Sequence, residues 1–365
     1  MKKILFVLVL NFAACAENSD DDYSEFGNTD HHVKLHKSGE LILQNNIEED
    51  YPMGRLRYSF VTTQNRSEFI FYDEINRQFF VANNSGNVER VISREGRGPG
   101  ELSNVTSFAI NEDDELIVYD GGQLIMKKFE IHGERFTEFD INQSEFAIVN
   151  RSIAANNDRF YAPILKTEYF SDLTESWQSG LVGVFNYEGS LIEIIGQYDS
   201  DLRDGRFYSP FPLIAVDFNK DLLFSSHTND YRIQVTNLNN GERVSHFGIK
   251  SENFRKAEDN ISQFQAQQEI QEQSIGLSFV GDIYLTENYV LLHFENVTEE
   301  FYQTRDHNEK NHFLKVYDRK THEFYNELEL PYIIGSVADN DIYLIEDDNP
   351  ENYTIGVYEI LTSDL

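Results

Sequence analysis

The chain has 365 residues, and its 63 Asp and Glu against 30 Lys and Arg give a formal net charge of −33 at pH 7. Such an acidic surface repels phosphate backbones, which argues against a nucleic-acid-binding protein. Hydrophobic residues make up 40% of the chain and aromatic residues 13%, too much for a disordered acidic chain, while one cysteine excludes an internal disulfide framework and any multi-cysteine zinc site.

Residues 1–14 have the layout of a secretory signal peptide. Two lysines precede the apolar run Ile4–Leu10, and two alanines stand directly before Cys15. The segment Phe12–Cys15 resembles a bacterial lipobox, in which the cysteine takes a diacylglycerol and becomes the new N-terminus, although Phe12 replaces the usual leucine. We therefore expect lipidation at Cys15. The alternative is an ordinary cleaved signal with a chance cysteine.

Residues 15–32 predict a solvated acidic tether, because the segment is polar and has almost nothing to bury. An acidic stretch directly after a lipidated cysteine also resembles the surface-export signal of Bacteroidota lipoproteins. After residue 16 no apolar run approaches the length of a membrane-spanning helix. The expected location is the cell envelope, at the outer membrane on its periplasmic or external side, with membrane contact through the lipid alone.

Residues 33–365 predict an all-β domain, because short runs of aromatic and β-branched residues are separated by Gly, Asn and Asp at turn positions. The clearest unit spans 115–141, with Gly121-Gly122 and His132-Gly133 between its strands. Similar sequence patterns recur at residues 69–93, 181–197, 231–249, 313–330 and 341–360. Six copies indicate a six-bladed β-propeller of four-stranded antiparallel blades. The last copy lacks an outer strand, which we expect the run His32–Gln44 to supply. A large β-sandwich or two unrelated β domains is the alternative.

A glycine-rich motif lies directly before the segment LSNVTSFAINEDDELIVYD. The motif is Gly96-Arg97-Gly98-Pro99-Gly100-Glu101. Together they resemble an NHL-type propeller repeat and are most similar to the TolB-like propeller lipoproteins of Bacteroidota, many of which have no assigned activity. The glycines permit the positive-φ turns expected where one blade passes to the next. A phosphate-binding loop is disfavoured, because no helix follows and no Gly-Lys-Ser/Thr is present.

Long insertions are predicted on one face of the propeller. With the strands of a blade lettered a to d from the axis outward, the b–c turns and d–a crossings share one face, and the a–b and c–d turns share the other. The long insertions all belong to the first group: 167–180, 198–211, 250–276 and 295–312. Because loops that cluster on one face commonly carry binding, this face is the expected functional surface.

The insertion at 250–276 predicts a short amphipathic helix, at about residues 252–274. Phe254, Ala257, Ile261 and Phe264 recur at spacings of 3, 4 and 3 among Gln and Glu. We interpret it as a packed cover for the junction between blades 4 and 5, with a moving lid as the alternative.

Aromatic rings beside arginines on the insertion face suit a protein, peptide or glycan partner. The candidate ligand-binding residues are Arg97, Tyr169, Trp177, Arg203, Arg206, Tyr208 and His227. The alternative is that the rings pin the long loops to the propeller rim. The expected function is a lipid-anchored binding or scaffold module, and no catalytic residue and no nucleic-acid partner are assigned.

An enzyme is the competing hypothesis. Six-bladed propellers that are lactonases or lyases hold calcium or zinc in the central channel, and the resemblance makes Asn111, Asp217 and Asp282 weak metal candidates, with calcium the possible cofactor. Asn and Asp also end strands simply because they accept turn conformations. His227 and His293 are possible general bases or ligands, with a hydrogen-bonded structural role as the alternative.

Overall fold

Six antiparallel sheets surround a common axis in the structure, which is a computed structural model. It describes residues 31–45, 52–141, 146–149, 152–166, 182–196, 212–228, 230–256 and 267–364. In chain order the first strands are β1 (His31–Ile42), β2 (Leu56–Thr62), β3 (Glu68–Asp73), β4 (Gln78–Asn83), β5 (Val88–Ile92), β6 (Val105–Ile110), β7 (Glu115–Asp120), β8 (Ile125–Glu130), β9 (Phe136–Asp140), β10 (Phe146–Ile148), β11 (Ala154–Ala155), β12 (Arg159–Lys166), β13 (Val182–Asn186) and β14 (Leu191–Ile195). They are followed by β15 (Pro212–Asp217), β16 (Leu222–His227), β17 (Ile233–Asn237), β18 (Arg243–Phe247), β19 (Ser278–Leu285), β20 (Tyr289–Asn296), β21 (Asn311–Asp318), β22 (Phe324–Leu330), β23 (Ile334–Ala338), β24 (Asp341–Asp347) and β25 (Thr354–Asp364).

The sheets confirm the predicted six-bladed propeller. Blades 1 to 5 are β2–β5, β6–β9, β10–β14, β15–β18 and β19–β22. The innermost strands contact one another in sequence, β2 with β6, β6 with β11, β11 with β15 and β15 with β19, and β23 contacts β2. In blade 3 the innermost strand is broken into β10 and β11, both of which pair with β12.

The sixth blade is closed by the start of the described chain, as predicted. Its strand order is β23-β24-β25-β1, so β1 is the outer strand, and its antiparallel register with β25 runs from His31 opposite Asp364 to Ile42 opposite Thr354. Val33 and Leu41 of β1 are buried. Because this strand pairs chain ends that are distant in sequence, it joins the last blade to the first.

The core lies between neighbouring blades. Successive side chains of a strand point to opposite faces, so Phe71 of β3 packs towards blade 6 while Tyr72 packs towards blade 2. All of β3 is buried, whereas the outer strand β9 is largely exposed. The middle strands are therefore continuous apolar sequences and do not alternate between apolar and polar residues.

Two lysines are fully buried at equivalent positions of blades 2 and 5. Lys127 on β8 and Lys315 on β21 both occupy the third strand of a blade and lie directly opposite a glutamate on the fourth, Glu138 and Glu327 respectively. Lys127 donates to the carbonyl of Glu101, and Lys315 donates to that of Ile249, each carbonyl lying in the crossing from the preceding blade. The buried charge thus ties consecutive blades together.

The described connections follow the predicted division between the two faces. The a–b turns are tight, as at 111–114 and 286–288, while the crossing at 93–104 and the b–c insertion at 297–310 are long. The insertions at 167–180 and 198–211 lie outside the described residues.

The helix prediction needs correction. Helix α1 spans Gln267–Ser274, and residues 252–256 of the predicted helix form a turn and coil, while 257–266 are not described. Phe254 is buried between the rings of Tyr231 and Phe294, at 5.4 and 5.1 Å, so this residue covers the junction of blades 4 and 5 as expected. A second helix, α2 (Glu299–Thr304), was not predicted, because six residues are too few to show a helical period.

Candidate functional site

A cavity of about 670 Å³ lies on the propeller axis. Residues at or beside the innermost strand of every blade line it, and its walls combine apolar side chains such as Phe108 and Ile334 with a few polar groups. Several polar lining residues stand at the strand ends nearest the b–c turns and d–a crossings, including Arg57 of β2 and Glu295 of β20. The cavity therefore reaches the face that the sequence predicted to be functional. Its volume and mixed lining are typical of a small-ligand site.

The b–c insertion of blade 5 covers part of the mouth of this cavity. Thr298 caps the N-terminus of helix α2, because its side chain accepts a hydrogen bond from the Phe301 N–H, and a 3-10 helix follows at His307–Glu309. Asn308 holds the insertion to blade 6, since its Oδ1 accepts from the Ile333 N–H at 3.1 Å. The His307 ring then lies 4.8 Å from that of Tyr58, in blade 1. The insertion thus bridges blade 5 to blade 1 above the axis.

Beneath the insertion lies a cluster of five ionisable side chains, which we call the blade-5 cluster: His293, Glu295, His307, Lys310 and His312. Lys310 forms an ion pair with Glu295, and its Nζ lies 3.2 Å from Nδ1 of His307. Nε2 of His293 lies 3.2 Å from Nδ1 of His312, whose Nε2 lies 2.8 Å from the His307 carbonyl oxygen. All but Lys310 and His312 line the cavity.

The environment keeps the three histidines neutral. Burial, reinforced by the neighbouring positive charges, lowers the pKa of His293 to about 3, and burial with the Lys310 charge lowers that of His307 to about 4. Burial likewise lowers the pKa of His312, against the opposing effect of Glu295. Burial alone would raise the pKa of Glu295, but the charge of Lys310 and the adjacent histidines make the net shift downward.

The hydrogen bonds then assign the tautomer of His293. A carbonyl oxygen can only accept, so Nε2 of His312 carries a hydrogen and donates to His307. A neutral His312 must have an unprotonated Nδ1, which accepts from Nε2–H of His293. Nδ1 of His293 is consequently a lone-pair acceptor, and it has no hydrogen-bond partner among the side chains and backbone that the structure describes.

Gly281 lies close to this nitrogen. It is the extra residue of a bulge between Val280 and Asp282 on the innermost strand β19, and it lines the cavity together with His293. A Cβ atom at Gly281 would lie 2.8 Å from Nδ1 of His293, inside van der Waals contact. The absent side chain therefore lets the innermost strand approach the His293 ring closely.

Arg57 and Glu74 line the cavity on the blade-1 side. Nε of Arg57 lies 3.2 Å from a Glu74 carboxylate oxygen, and its two terminal nitrogens donate to the carbonyls of Val105 and Thr106, at 2.7 and 3.3 Å. The positive charge is thus already paired within the protein.

Two of the predicted ligand-binding residues are described. Arg97 is exposed, on a crossing whose backbone folds around Glu101. Only Gly100 of the predicted turn glycines has a positive φ, at 72°, while a side chain at Gly96 would collide with the Glu101 carboxylate. His227 ends β16 at the predicted face but is buried opposite Pro212, so its ring is not presented to solvent.

The other predicted residues lie outside the described part of the chain. They are Cys15, Tyr169, Trp177, Arg203, Arg206 and Tyr208. Their proposed roles stay predictions.

The three weak metal candidates are not brought to one site. Oδ1 of Asn111 accepts from the Glu115 N–H at 2.8 Å, and Oδ2 of Asp217 forms an ion pair with Arg319 at 2.6 Å, both beside a–b turns. Asp282 alone lines the axial cavity. Among the residues described, no group of three or more His, Cys, Asp or Glu is placed to hold a metal ion. The calcium hypothesis stays a prediction, which metal analysis and melting with EDTA would test.

Sequence reasoning singled out His293 but missed its partners. His312 is brought beside it by the register of β20 and β21, in which Leu314 lies opposite His293. The insertion between these strands hid that register, because its length does not determine which residues pair. Gly281 carried a usable signal, since a glycine inside a strand pattern often marks a bulge or a close approach.

Fold and cavity together define a six-bladed β-propeller with a ligand-sized axial cavity. The family model of DUF5128, described as a 6-bladed beta-propeller, matches residues 54–161. No curated protein matches the chain in sequence. Within the described ranges, neither helix has the length and apolar character to cross a bilayer.

Two solved structures from Bacteroides share the fold. A member of the DUF4221 family from Bacteroides vulgatus superposes with a TM-score of 0.68 at 12% identity, covering 92% of this chain and 99% of its own. A protein from Bacteroides fragilis described as exported gives a TM-score of 0.57 at 14% identity, covering 91% of this chain and 95% of its own. At these identities the likeness concerns the fold alone.

Proposed function

We propose that this protein is an extracytoplasmic binding or scaffold propeller that recognises a protein, peptide or glycan at the face bearing its b–c turns and d–a crossings. The observation that carries the proposal is the axial cavity, which reaches this face and is lined from all six blades. A cavity of about 260 Å³ lies at the a–b turns, lined by residues such as Thr63, Arg66 and Asp339. The larger space is therefore on the side of the long connections.

The geometry supports binding more directly than catalysis. The polar groups at the mouth are engaged with one another, Arg57 with Glu74 and Lys310 with Glu295, so they form a fixed, preorganised surface. Among the residues described, no group of three or more His, Cys, Asp or Glu is placed to hold a metal ion.

The proposed location follows from the N-terminus. The signal-like segment, the lipobox-like Phe12–Cys15 and the acidic tether support export and anchoring at the outer membrane, and a Bacteroides fragilis protein of the same fold is described as exported. The resemblance to NHL-type and TolB-like propeller lipoproteins supports the same assignment. Mass spectrometry of Cys15 in the membrane fraction tests it, and an unmodified N-terminal peptide would contradict it.

The test of the binding face compares the two ends of the propeller. A chain beginning at residue 30 is immobilised and exposed to envelope extract, and retained components are identified by mass spectrometry and glycan analysis. Replacing Trp177 and Arg206 by Ala should abolish retention of the wild-type partner with little change in melting temperature. A matched pair on the opposite face, Arg135→Ala with Phe136→Ala, should retain it, since both side chains are exposed beside a c–d turn. Loss of capture by this pair alone would refute the assigned face.

A further inference from the structure

Arginine side chains gather where blades 1 and 2 meet, on the face of the b–c turns and d–a crossings. Arg55 directly precedes β2, and Arg77 ends the b–c turn of blade 1. Arg94 and Arg97 lie in the crossing from blade 1 to blade 2. Because the chain as a whole has a net charge of −33, this concentration of positive side chains is a local departure from its acidic character.

On the blade-1 side, two arginines share one carboxylate. A terminal nitrogen of Arg55 lies 3.0 Å from one oxygen of Glu74, and Nε of Arg57 lies 3.2 Å from the other. Burial raises the pKa of the Tyr72 hydroxyl, and the charges of Arg57 and Arg77 both oppose that shift. The three guanidinium groups therefore belong to one patch.

The crossing continues this patch to blade 2. Arg77 forms an ion pair with Glu95 of the crossing at 2.9 Å. Arg94 forms one with Glu101 at 3.0 Å. The Glu101 carbonyl accepts a hydrogen bond from Nε2 of Gln123, in the b–c turn of blade 2, at 3.3 Å. The arginines and the two b–c turns are thus parts of one continuous surface.

Exposed arginines outnumber the carboxylates on this surface. Glu74 serves two arginines, and two other glutamates, Glu95 and Glu101, serve one each. Arg97 forms no ion pair within the described part of the chain. Arg94 remains 77% exposed in its pair. Because exposed ion pairs stabilise a fold little, an arginine here can exchange its intramolecular carboxylate for that of a partner.

Two further carboxylates lie beneath the surface. Asp73 and Asp120 are buried at the starts of the two b–c turns. They accept hydrogen bonds from backbone N–H groups of these turns, including those of Ile75 and Gly122. Both carboxylates are thus engaged inside the protein, and a partner above the turns meets the guanidinium groups.

Each of these b–c turns also presents an aliphatic side chain to solvent. Ile75 is 59% exposed, and Leu124 is 54% exposed. Leu124 has a φ of 60°, a left-handed conformation that glycine adopts more readily than a bulky residue, yet its side chain gains little burial in return. The fold alone does not account for a leucine here. Arginine beside apolar surface suits a protein partner, which supplies apolar side chains as well as charges.

This arginine sector comprises Arg55, Ile75, Arg77, Arg94, Arg97 and Leu124. We propose that it binds an acidic, partly apolar segment of another protein, whose carboxylates pair with the guanidinium groups and whose apolar side chains pack on the two aliphatic residues. The inference rests on the proposed binding function and names the class of its partner. The acidic remainder of the chain does not prevent binding, because exposed charges act over a Debye length of only about 8 Å at physiological ionic strength.

Matched peptides test the partner class on the wild-type chain. A fluorescent peptide of Glu, Leu, Gly and Ser is titrated by anisotropy at physiological salt, beside versions with Gln in place of Glu or Ser in place of Leu. We expect the Glu/Leu peptide to bind and each replacement to weaken binding about tenfold, because charge-assisted hydrogen bonds or apolar contacts are lost. No binding of the Glu/Leu peptide, or equal affinity for either replacement, would overturn the proposal. Tighter binding of heparin would also overturn it and indicate an anionic glycan.

A matched pair of variants locates the site. Arg97→Gln/Leu124→Ser removes one exposed guanidinium and one exposed aliphatic group from the sector, so affinity for the Glu/Leu peptide should fall about tenfold. Arg243→Gln/Val244→Ser removes the same two kinds of group beside the c–d turn of blade 4, on the opposite face, and should leave the affinity unchanged. Equal losses in both variants would indicate nonspecific attraction and overturn the site.

Leu124→Gly separates a binding role from a structural one. Glycine adopts a φ of 60° without strain, and this gain in the folded chain offsets the greater freedom of the unfolded chain. The melting temperature should therefore change little while peptide affinity falls. A marked drop in melting temperature with unchanged affinity would show that Leu124 supports the fold and would overturn its role in binding.

The two proposals fail in different ways. If the Trp177 and Arg206 double variant loses capture from envelope extract but the wild type does not bind the Glu/Leu peptide, the binding face stands and the acidic partner class is overturned. If the peptide binds at the sector but the Arg135 and Phe136 double variant alone loses capture, the proposed function is refuted at its assigned face.

Discussion

The side-chain amide of Asn326 forms two hydrogen bonds with the backbone of Val33. The Val33 N–H donates to Oδ1 at 2.9 Å, and Nδ2 donates to the Val33 carbonyl at 3.1 Å. Asn326 lies on β22, the outer strand of blade 5, whereas Val33 lies on β1, which closes blade 6. The amide thus pairs with the free edge of the closing strand and joins it to the neighbouring blade.

Replacing Asn326 by Ala should loosen the closing strand. Two hydrogen bonds to a part-buried backbone are lost, so we expect the free energy of unfolding to fall by about 1–2 kcal/mol. Hydrogen exchange should accelerate across residues 31–42. Asn239→Ala is the control, since Asn239 is exposed and its amide pairs with Asp221 in a turn region of blade 4. Unchanged exchange in β1 would show that β25 alone holds the closure.

Replacing Lys315 by Met should destabilise the protein, and replacing its partner as well should restore stability. Lys315→Met leaves the mostly buried Glu327 without its cation and the Ile249 carbonyl without its donor, for a loss of about 3–5 kcal/mol. In Lys315→Met/Glu327→Leu the unpaired charge is gone, and denaturant unfolding should return to within about 1–2 kcal/mol of the wild type. A double variant as unstable as the single one would mean that the carbonyl contact dominates.

Stability should rise with pH between about 8 and 10.5 because of Lys315. Burial lowers the pKa of Lys315 to about 8, against the opposing effect of Glu327. The unfolded chain keeps this lysine protonated up to about pH 10.4, so within that window the unfolded state binds more protons and the linkage term favours the folded state as pH rises. Urea midpoints across the window should increase for the wild type relative to Lys315→Met/Glu327→Leu. Parallel midpoints would contradict the low pKa.

The blade-5 cluster should make the fold sensitive to acid. His293, His307 and His312 all have lowered pKa values, so below about pH 6.5 they gain protons on unfolding but not in the folded state. Each histidine that stays neutral contributes a loss of about 1.4 kcal/mol per pH unit until its folded pKa is reached. Unfolding from pH 7 to 4.5 measures the slope. His293→Phe/His312→Phe should reduce this slope, and an unchanged slope would contradict the lowered pKa values of the two histidines.

Much of the architecture could be predicted from residue order alone. Apolar and β-branched runs separated by Gly, Asn and Asp specify strands and turns locally, and their sixfold recurrence specifies the number of blades. The incomplete last copy and the unpaired run His32–Gln44 together predicted the closing strand, since an unpaired edge in a ring needs a partner.

The chemistry at the axis was decided by tertiary structure. His293, His312 and Gly281 lie on three strands, and they meet because a bulge in β19 and the register of β20 with β21 bring them together. The same holds for Lys127 and Lys315, whose carbonyl partners, Glu101 and Ile249, lie in the crossings from the preceding blades. The hydrophobic pattern of a strand indicates which of its sides is buried, but it does not indicate which residues of the neighbouring strands lie opposite. Strand register and blade packing depend on contacts between residues that are distant in the chain.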